Sequence, residues 1–405
     1  MPWKVTDPMN EKQRFVLLAQ TGRITISDLC KDFGISRKTG HKYLLRYAAG
    51  GMEGLREKSR RPERFRTPTD KEVERFVLLE KRKHPNWGPL KVRRLLTTIH
   101  GIESPPHVNT VGRILDRNGL VKRRKRKKGV YRVRPENLTQ PDHPNHVWTF
   151  DFKGWFLLGD GTRCDPLTVC DRFSRYILAF KACPNQQYNT TFAACKKLMR
   201  YHGLPEIIRV DNGSPFASNA LGGLSQLSVW WVEQGIRVEF TRPGKPGDNG
   251  SHERMHRDSK AEATIPPSSN LPAQDKRFSR WSHEYNHVRP HESLDMLCPA
   301  DFYHKSQRRL GETDKWRYPE DYLLKRVAAS GHISWLGHAF YISEVYQGCE
   351  VALYENKEGV TELHYANLHL GNFEFDPKRT WDGKPKVIRA PDLPSWPKPL
   401  QGGKE

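Results

Sequence analysis

The chain has 405 residues, too many for one ordinary domain; at roughly 100–200 residues per domain, two to four are expected. Lys and Arg number 68 against 46 Asp and Glu, a formal charge of +22, which points to a polyanionic partner, with nucleic acid the default. No run of about 18 or more apolar residues is present to cross a bilayer, and no apolar signal segment follows Met1-Pro2-Trp3-Lys4, so the chain reads as soluble and intracellular without a membrane partner. Its seven cysteines include no Cys-x-x-Cys pair, which favours reduced thiols over a disulfide framework or a zinc site.

The first elements are helical. Residues 11–20 carry Phe15, Leu17 and Leu18 at helical spacing. Ser27 is expected to cap a helix through Phe33, Gly34 to stop it, and Ser36 to cap another from Arg37 to Tyr47. Helix, short turn, helix is helix-turn-helix organisation, and its second helix would offer Arg37, Lys38, Thr39, His41 and Lys42 to a major groove. Gly40 costs that helix about 1 kcal/mol, which is understandable if it allows a close approach. A basic linker over 51–68 leads to a second helix-turn-helix or winged unit over 69–121, with helices near 70–83, 89–98 and 107–118. Then Lys122-Arg123-Arg124-Lys125-Arg126-Lys127-Lys128 runs as an unbroken strap of cations. Such a run stays extended until a polyanion neutralises it, so it is expected to track DNA phosphates.

From His146 the pattern turns to α/β. Strands are expected over 146–158, 165–171, 175–183, 206–210 and 236–240, with helices near 187–202 and 221–234, giving a mixed sheet covered on both faces. Three acids stand in this layer where acids are unusual. Asp151 interrupts the apolar run Val147-Trp148-Thr149-Phe150, Asp211 ends Ile207-Ile208-Arg209-Val210, and Glu253 follows Asn249-Gly250 on a helix-like stretch. Ionised carboxylates in apolar surroundings need a positive partner, and a divalent metal with open positions for phosphate and water would supply one. Arg254, Arg257 and Lys260 next to Glu253, with Lys181, Arg242 and Lys245, read as phosphate contacts. His252-Glu253-Arg254-Met255-His256 and His283-Glu284-Tyr285-Asn286-His287 also satisfy the zinc-protease pattern His-Glu-x-x-His. That reading is set aside because Asn249-Gly250 opens the first helix, Arg289-Pro290 ends the second, and neither motif accounts for Asp151, Asp211 or the charge.

Short alternating segments at 332–335, 339–342, 350–354, 361–365 and 372–375 suggest a small all-β barrel. A Pro- and Lys-rich tail from 376 to 405 is expected to be disordered.

Taken together, Trp148-Thr149-Phe150-Asp151-Phe152, Asp211-Asn212-Gly213-Ser214-Pro215-Phe216, the stretch from Arg242 to Arg254, and Tyr285-Asn286-x-x-Arg289-Pro290-His291 resemble the DDE insertion-sequence transposases with a retroviral-integrase-type core. The resemblance runs from Ser27 to about residue 375. It implies an RNase H-like core over 140–305 behind helix-turn-helix units at 1–50 and 69–121 and a basic linker at 122–139, with an SH3-like barrel at 306–375. It also implies two Mg²⁺ or Mn²⁺ ions held by Asp151, Asp211 and Glu253, and metal-dependent cleavage and strand transfer on double-stranded DNA. A homo-oligomer holding both element ends and a bacterial, nucleoid-associated setting follow from the same likeness. The 41 residues between Asp211 and Glu253 exceed the usual gap, and the surplus around Asn219–Gly223 is expected to lengthen a surface loop. A DNA-binding regulator with an inactive core and a plain RNase H-like nuclease remain as alternatives.

Overall fold

The computed structural model describes residues 7–57, 69–121, 138–242, 250–312, 316–374 and 386–389. The basic strap Lys122–Lys128, most of the 51–68 linker, Lys245 and most of the 376–405 tail lie outside them; within that tail, expected to be disordered, Lys386–Arg389 forms a strand paired with Gly371–Glu374. The chain divides into two compact units, Met1–Asp70 and Lys71–Glu405. Among the described residues no helix is long and apolar enough to cross a membrane.

The first unit holds helices α1 (Pro8–Gln20), α2 (Ile26–Asp32) and α3 (Arg37–Gly50) around Phe15, Val16, Leu29, Cys30 and Leu55. Ser36 caps α3, accepting from the Thr39 amide at 3.2 Å. The cap of α2 is Thr25 rather than Ser27: its hydroxyl oxygen accepts from the Asp28 amide at 3.2 Å and donates to the Asp28 carboxylate at 2.7 Å. Thr25 has the acid three residues on that a capping box requires, and Ser27 does not. Gly40 is where α3 meets its neighbours. A Cβ there would stand 2.5 Å from Cys30 Sγ and 2.9 Å from the Phe15 ring, so only glycine lets α3 pack this closely.

The second unit opens with α4 (Lys71–Lys83), α5 (Pro89–Thr98) and α6 (Val108–Arg117), closed over Val77, Val92, Leu96, Val111 and Ile114. The mixed sheet follows: β1 (Val147–Phe152), a short β2 (Phe156–Leu157), β3 (Arg163–Asp171), β4 (Ile177–Cys183), then α7 (Tyr188–His202), β5 (Ile207–Val210), α8 (Gln226–Glu233) and β6 (Arg237–Phe240). The spatial order is β4-β3-β1-β5-β6, with β2 also on β3. The meander pairs are antiparallel and β1-β5-β6 are parallel. Helices α9 (Gly250–Ser259), with a π-helical turn over Lys260–Thr264, and α10 (Leu271–His287) complete the layer.

Side chains alternate across a strand, so Trp148 and Phe150 face one side and Thr149 and Asp151 the other. The first side packs on Leu198 and Met199 of α7 and Leu227 and Trp231 of α8. On the second, Cys170, Ile177 and Phe180 meet Met255 of α9 and Phe278, Trp281 and Tyr285 of α10, with the Phe180 and Phe278 rings stacked at 3.7 Å. All seven cysteines are free, and six are buried.

The C-terminal strands are β7 (Leu323–Arg326), β8 (His332–Trp335), β9 (His338–Tyr341), β10 (Glu350–Glu355), β11 (Thr361–Tyr365), β12 (Leu368–Glu374) and β13 (Lys386–Arg389). Among the described residues they form an open five-stranded ladder, β13-β12-β11-β10-β7, and the separate hairpin β8-β9, where the sequence reading expects a closed barrel. The Asn219–Gly223 surplus is not a free surface loop. Gly222 is buried with φ +74°, its missing Cβ would lie 2.6 Å from Leu370, and the Tyr346 hydroxyl donates to the Leu221 carbonyl at 2.5 Å. The insertion is the seat of the β module, and the apolar surface of Leu370 and Tyr346 is what buries it.

One buried ion pair braces the parallel edge. Arg209 of β5 donates two hydrogen bonds to Glu239 of β6 at 2.8 and 3.0 Å, and Thr139 and Arg237 supply further donors. Burial alone would raise the Glu239 carboxyl, and the Arg209, Thr139 and Arg237 contacts outweigh it and hold it below the ordinary value. Replacing Glu239 by Leu strands the Arg209 guanidinium in the core. A loss of about 3–5 kcal/mol is expected, read as a fall in the urea midpoint of the second unit, with Arg209→Leu in the same chain restoring part of it.

Candidate metal centre

Three elements deliver the three acids. The β1-β5 ladder pairs Val147 with Ile207, Trp148 with Ile208 and Thr149 with Arg209. Carrying that register two residues on sets Asp151 beside Asp211, which leaves β5 in a turn where its carboxylate accepts from the Gly213 amide at 3.2 Å. Glu253 lies in the first turn of α9, which is fastened to the strands by the residues either side of Glu253. His252 Nδ1 is 2.8 Å from the Thr149 hydroxyl, and the Nε2 atoms of His252 and His256 each lie 2.7 Å from the Thr168 hydroxyl on β3. Thr168 in turn donates to the Asp151 carbonyl at 3.0 Å and is the register partner of Asp151 across the β1-β3 ladder.

Asp151, 28% exposed at the side chain, has its carboxyl pushed up to about 7, first by burial, then by the charge of Asp211 and, to a lesser extent, of Glu253. Lys153 and a backbone hydrogen bond pull the other way without cancelling this. Opposed like charges of this kind are what a bound cation relieves. A second observation fits the same donor set: His256 Nδ1 is buried, makes no hydrogen bond and lies 3.3 Å from Asp151 Oδ2. Burial holds His256 down to about 3 and His252 well below its ordinary value, so both imidazoles are neutral at physiological pH.

Asp142, His143 and His146 also cluster closely enough to hold an ion. Their ring nitrogens already have acid partners: Asp142 accepts from both His143 and His146, and Glu206 lies 2.8 Å from His143 Nε2. The zinc-protease pattern at His252 and His256 has its own answer here. Asp151, His252 and His256 do offer ligand atoms within 4.8 Å of one another, but both nitrogens of His252 already meet threonine hydroxyls, so it is not the open imidazole that motif requires.

The expected phosphate contacts divide. Arg37, Lys38, His41 and Lys42 are exposed on α3, along with Leu45, which is 71% exposed. Thr39 is half-buried, and its hydroxyl is 2.9 Å from Ser36 Oγ, where it serves the helix cap. Arg254, Arg257 and Lys260 are exposed beside Glu253, the last on the π-helical turn. Lys181 instead pairs with Asp275 of α10 at 2.7 Å, because β4 packs on that helix.

Sequence reasoning passed over what the Tyr285–His291 motif does. Asn286 exchanges two hydrogen bonds of 2.9 Å with the backbone of Ile177, holding the start of β4 to α10. Arg289 donates to Asp258 at 2.6 Å and to Glu262 at 2.9 Å, and its guanidinium lies 5.5 Å from the Trp87 ring. His84, stacked on Trp87 at 3.9 Å, pairs with Glu284 of α10 at 3.0 Å. Lys91 on α5 is held down to about 8 by burial and then by the Arg289 charge. The α4–α6 helices are thus joined to the helix bearing Glu253 through one arginine.

Comparison with known proteins gives this arrangement its class. Residues 141–246 and 234–299 match Integrase core domain families, residues 39–115 a Homeodomain-like domain and residues 11–63 a Helix-turn-helix domain. These matches set an integrase core domain in the central residues behind helix-turn-helix domains, and it is to proteins built this way that the chain is similar. It is 27% identical over 211 residues to the insertion element IS407 uncharacterized 31.7 kDa protein of Burkholderia multivorans, covering 52% of this chain and 74% of that one. It is 28% identical over 182 residues to the insertion element IS476 uncharacterized 39.2 kDa protein of Xanthomonas euvesicatoria, covering 45% and 50%. Among solved structures it is similar to the HTLV-2 integrase catalytic core in complex with magnesium, at 18% identity and a TM-score of 0.32 over 40% of this chain and 98% of that one. It is also similar to the simian T-cell lymphotropic virus intasome bound to a PP2A regulatory subunit, at 16% identity and 0.36 over 72% and 97%.

The raised Asp151 pKa has a signed consequence for the metal-free protein. An acid moved from 3.8 to about 7 on folding favours the fold below pH 4 and loses that contribution as pH rises to 7. In EDTA, Asp151→Asn should therefore melt with wild type near pH 4 and above it at pH 8, by a margin on the order of a few kcal/mol. Parallel melting curves across that range would show that the neighbouring charges do not reach Asp151.

Proposed function

We propose that the chain is a DNA transposase that cleaves and joins strands at Asp151, Asp211 and Glu253. The observation that carries the reading is the β1-β5 register that sets Asp151 beside Asp211, with the helix bearing Glu253 fastened to the same strands through His252 and His256. Asp151, near the C-terminal end of the central strand β1, would hold two divalent cations, Asp211 one of them and Glu253 the other. Mg²⁺ or Mn²⁺ bound there supplies Lewis acidity at the scissile phosphate and acidifies the attacking water or 3′-hydroxyl.

The protein's own part is positional. The sheet fixes two carboxylates, and the His252 and His256 contacts fix the helix that brings the third, so little reorganisation is left for the reaction step. Arg254, Arg257 and Lys260 on the same helical stretch meet phosphates, which sets the strand's register without reading its sequence. Sequence reading belongs to α3, whose Arg37, Lys38, His41 and Lys42 face outward, while Lys122–Lys128 would follow the backbone between recognition and cleavage. Two element ends must be held at once, which calls for a homo-oligomer.

Two measurements bear on this. Pre-cut element ends incubated with target DNA and Mg²⁺ should be joined by wild type. Asp151→Asn, Asp211→Asn and Glu253→Gln should each lose at least about 10³-fold, as several kcal/mol of charge stabilisation implies, while retaining DNA binding. Joining by any of the three at wild-type rate would remove that acid from the centre. Separately, Lys38→Ala should lower the log–log salt slope of end binding by about 0.9, equally on specific and unrelated DNA, if it meets a phosphate.

A further inference from the structure

We propose that His256 Nδ1 is a nitrogen donor to a cation at Asp151, giving the centre a mixed oxygen and nitrogen set that favours Mn²⁺ over Mg²⁺. The inference rests on the carboxylate reading above and adds a ligand and a metal preference to it.

The Thr168 hydroxyl has three partners and one proton. Its oxygen lies 3.0 Å from the Asp151 carbonyl and 2.7 Å from the Nε2 atoms of both His252 and His256. A hydroxyl donates once and accepts twice, so the arrangement that satisfies every contact gives the proton to the carbonyl and takes N–H donation from both rings. His252 then accepts at Nδ1 from the Thr149 hydroxyl, 2.8 Å away, a shorter contact than the 3.4 Å from that hydroxyl to the Cys170 carbonyl, which competes for the same proton. His256 is left with a bare lone pair at Nδ1. Giving the Thr168 proton to His256 instead would place an N–H at Nδ1, where no acceptor stands in hydrogen-bonding geometry.

That lone pair is 1% exposed at the side chain and faces the Asp151 carboxylate at 3.3 Å, an arrangement in which two electron-rich atoms repel in a buried place. A cation between them reverses the sign. Two donors at about 2.1 Å from one ion, set 90–110° apart, stand roughly 3.0–3.4 Å from each other, and the observed separation falls inside that span. In the tautomer that the Thr168 contacts fix, the His256 imidazole meets the ion with a free lone pair. Its opposite nitrogen donates to Thr168, the outer contact that orients a ligating histidine. Mg²⁺ takes oxygen donors and gains little from imidazole, whereas a first-row transition dication accepts it.

The test uses the untagged full-length protein with Mn²⁺ and reads pulsed-EPR echo modulation from ¹⁴N in frozen solution. Wild type should show nitrogen coupling that disappears in His256→Phe and persists in His283→Phe. Titration calorimetry should show His256→Phe losing about 10–100-fold in Mn²⁺ affinity with Mg²⁺ affinity little changed. A wild-type echo without nitrogen coupling, or one that survives in His256→Phe, overturns the proposal. Should that variant misfold, His256→Gln takes its place, with His143→Phe as the control for the Asp142, His143 and His146 cluster. Asp211→Asn and Glu253→Gln separate the two readings. Oxygen-only Mn²⁺ sensitive to both replacements leaves the carboxylates standing without His256, and nitrogen-coupled Mn²⁺ indifferent to them leaves His256 without the triad. Absence of Mn²⁺ binding overturns both.

Discussion

Parallel pairing of β1 with β5 is the constraint on which the rest depends. It sets Asp151 and Asp211 side by side at the end of the sheet, with Asp151 largely buried and Asp211 exposed at the turn that follows. The strand residues around them cannot share the load, because Trp148, Phe150, Ile208 and Val210 are committed to the core. What remains is to brace the sheet and to leave room for a cation. Arg209 and Glu239 do the bracing one strand further out. The α9 helix, tied to Thr149 and Thr168, brings the third acid to the same place.

The polar contacts under α9 show why this geometry is held by neutral groups. A salt bridge at Thr168 would add charge to a place already crowded with carboxylates. Imidazoles kept neutral by burial, joined through hydroxyls, give direction without charge. The same economy appears at the other end of α10, where Asn286 completes the β4 backbone as a neighbouring strand would.

Much of this was legible in the chain. Helical spacing placed the six N-terminal helices, Ser36 marked the cap of α3 while Ser27 only resembles the cap that Thr25 provides, and an acid breaking an apolar run marked Asp151, because such residues obey local rules. Contacts between elements far apart in sequence left no comparable mark. Thr168 looks like any strand threonine until two histidines more than 80 residues later close on it, and those histidines themselves suggested a different metal motif. Gly222 read as part of a loose loop because its partner, Leu370, lies in another module. The short strands β7 and β13 lacked the alternation that announces an edge. Arg289 stood in a recognisable motif, but nothing nearby in sequence disclosed that Trp87 was its aromatic neighbour.

That last contact bears on how such chains can be recombined. A single guanidinium serves Asp258 and Glu262 on the α9 side and Trp87 on the side of the α4–α6 helices. The α4–α6 helices are therefore not an exchangeable cassette. A chimaera that imported another protein's helices without an aromatic at this corner would leave the arginine half-dressed, and the disturbance would be felt one turn from the acid that α9 carries. Swaps of DNA preference are better made in α3, whose outward residues answer to no partner in the core.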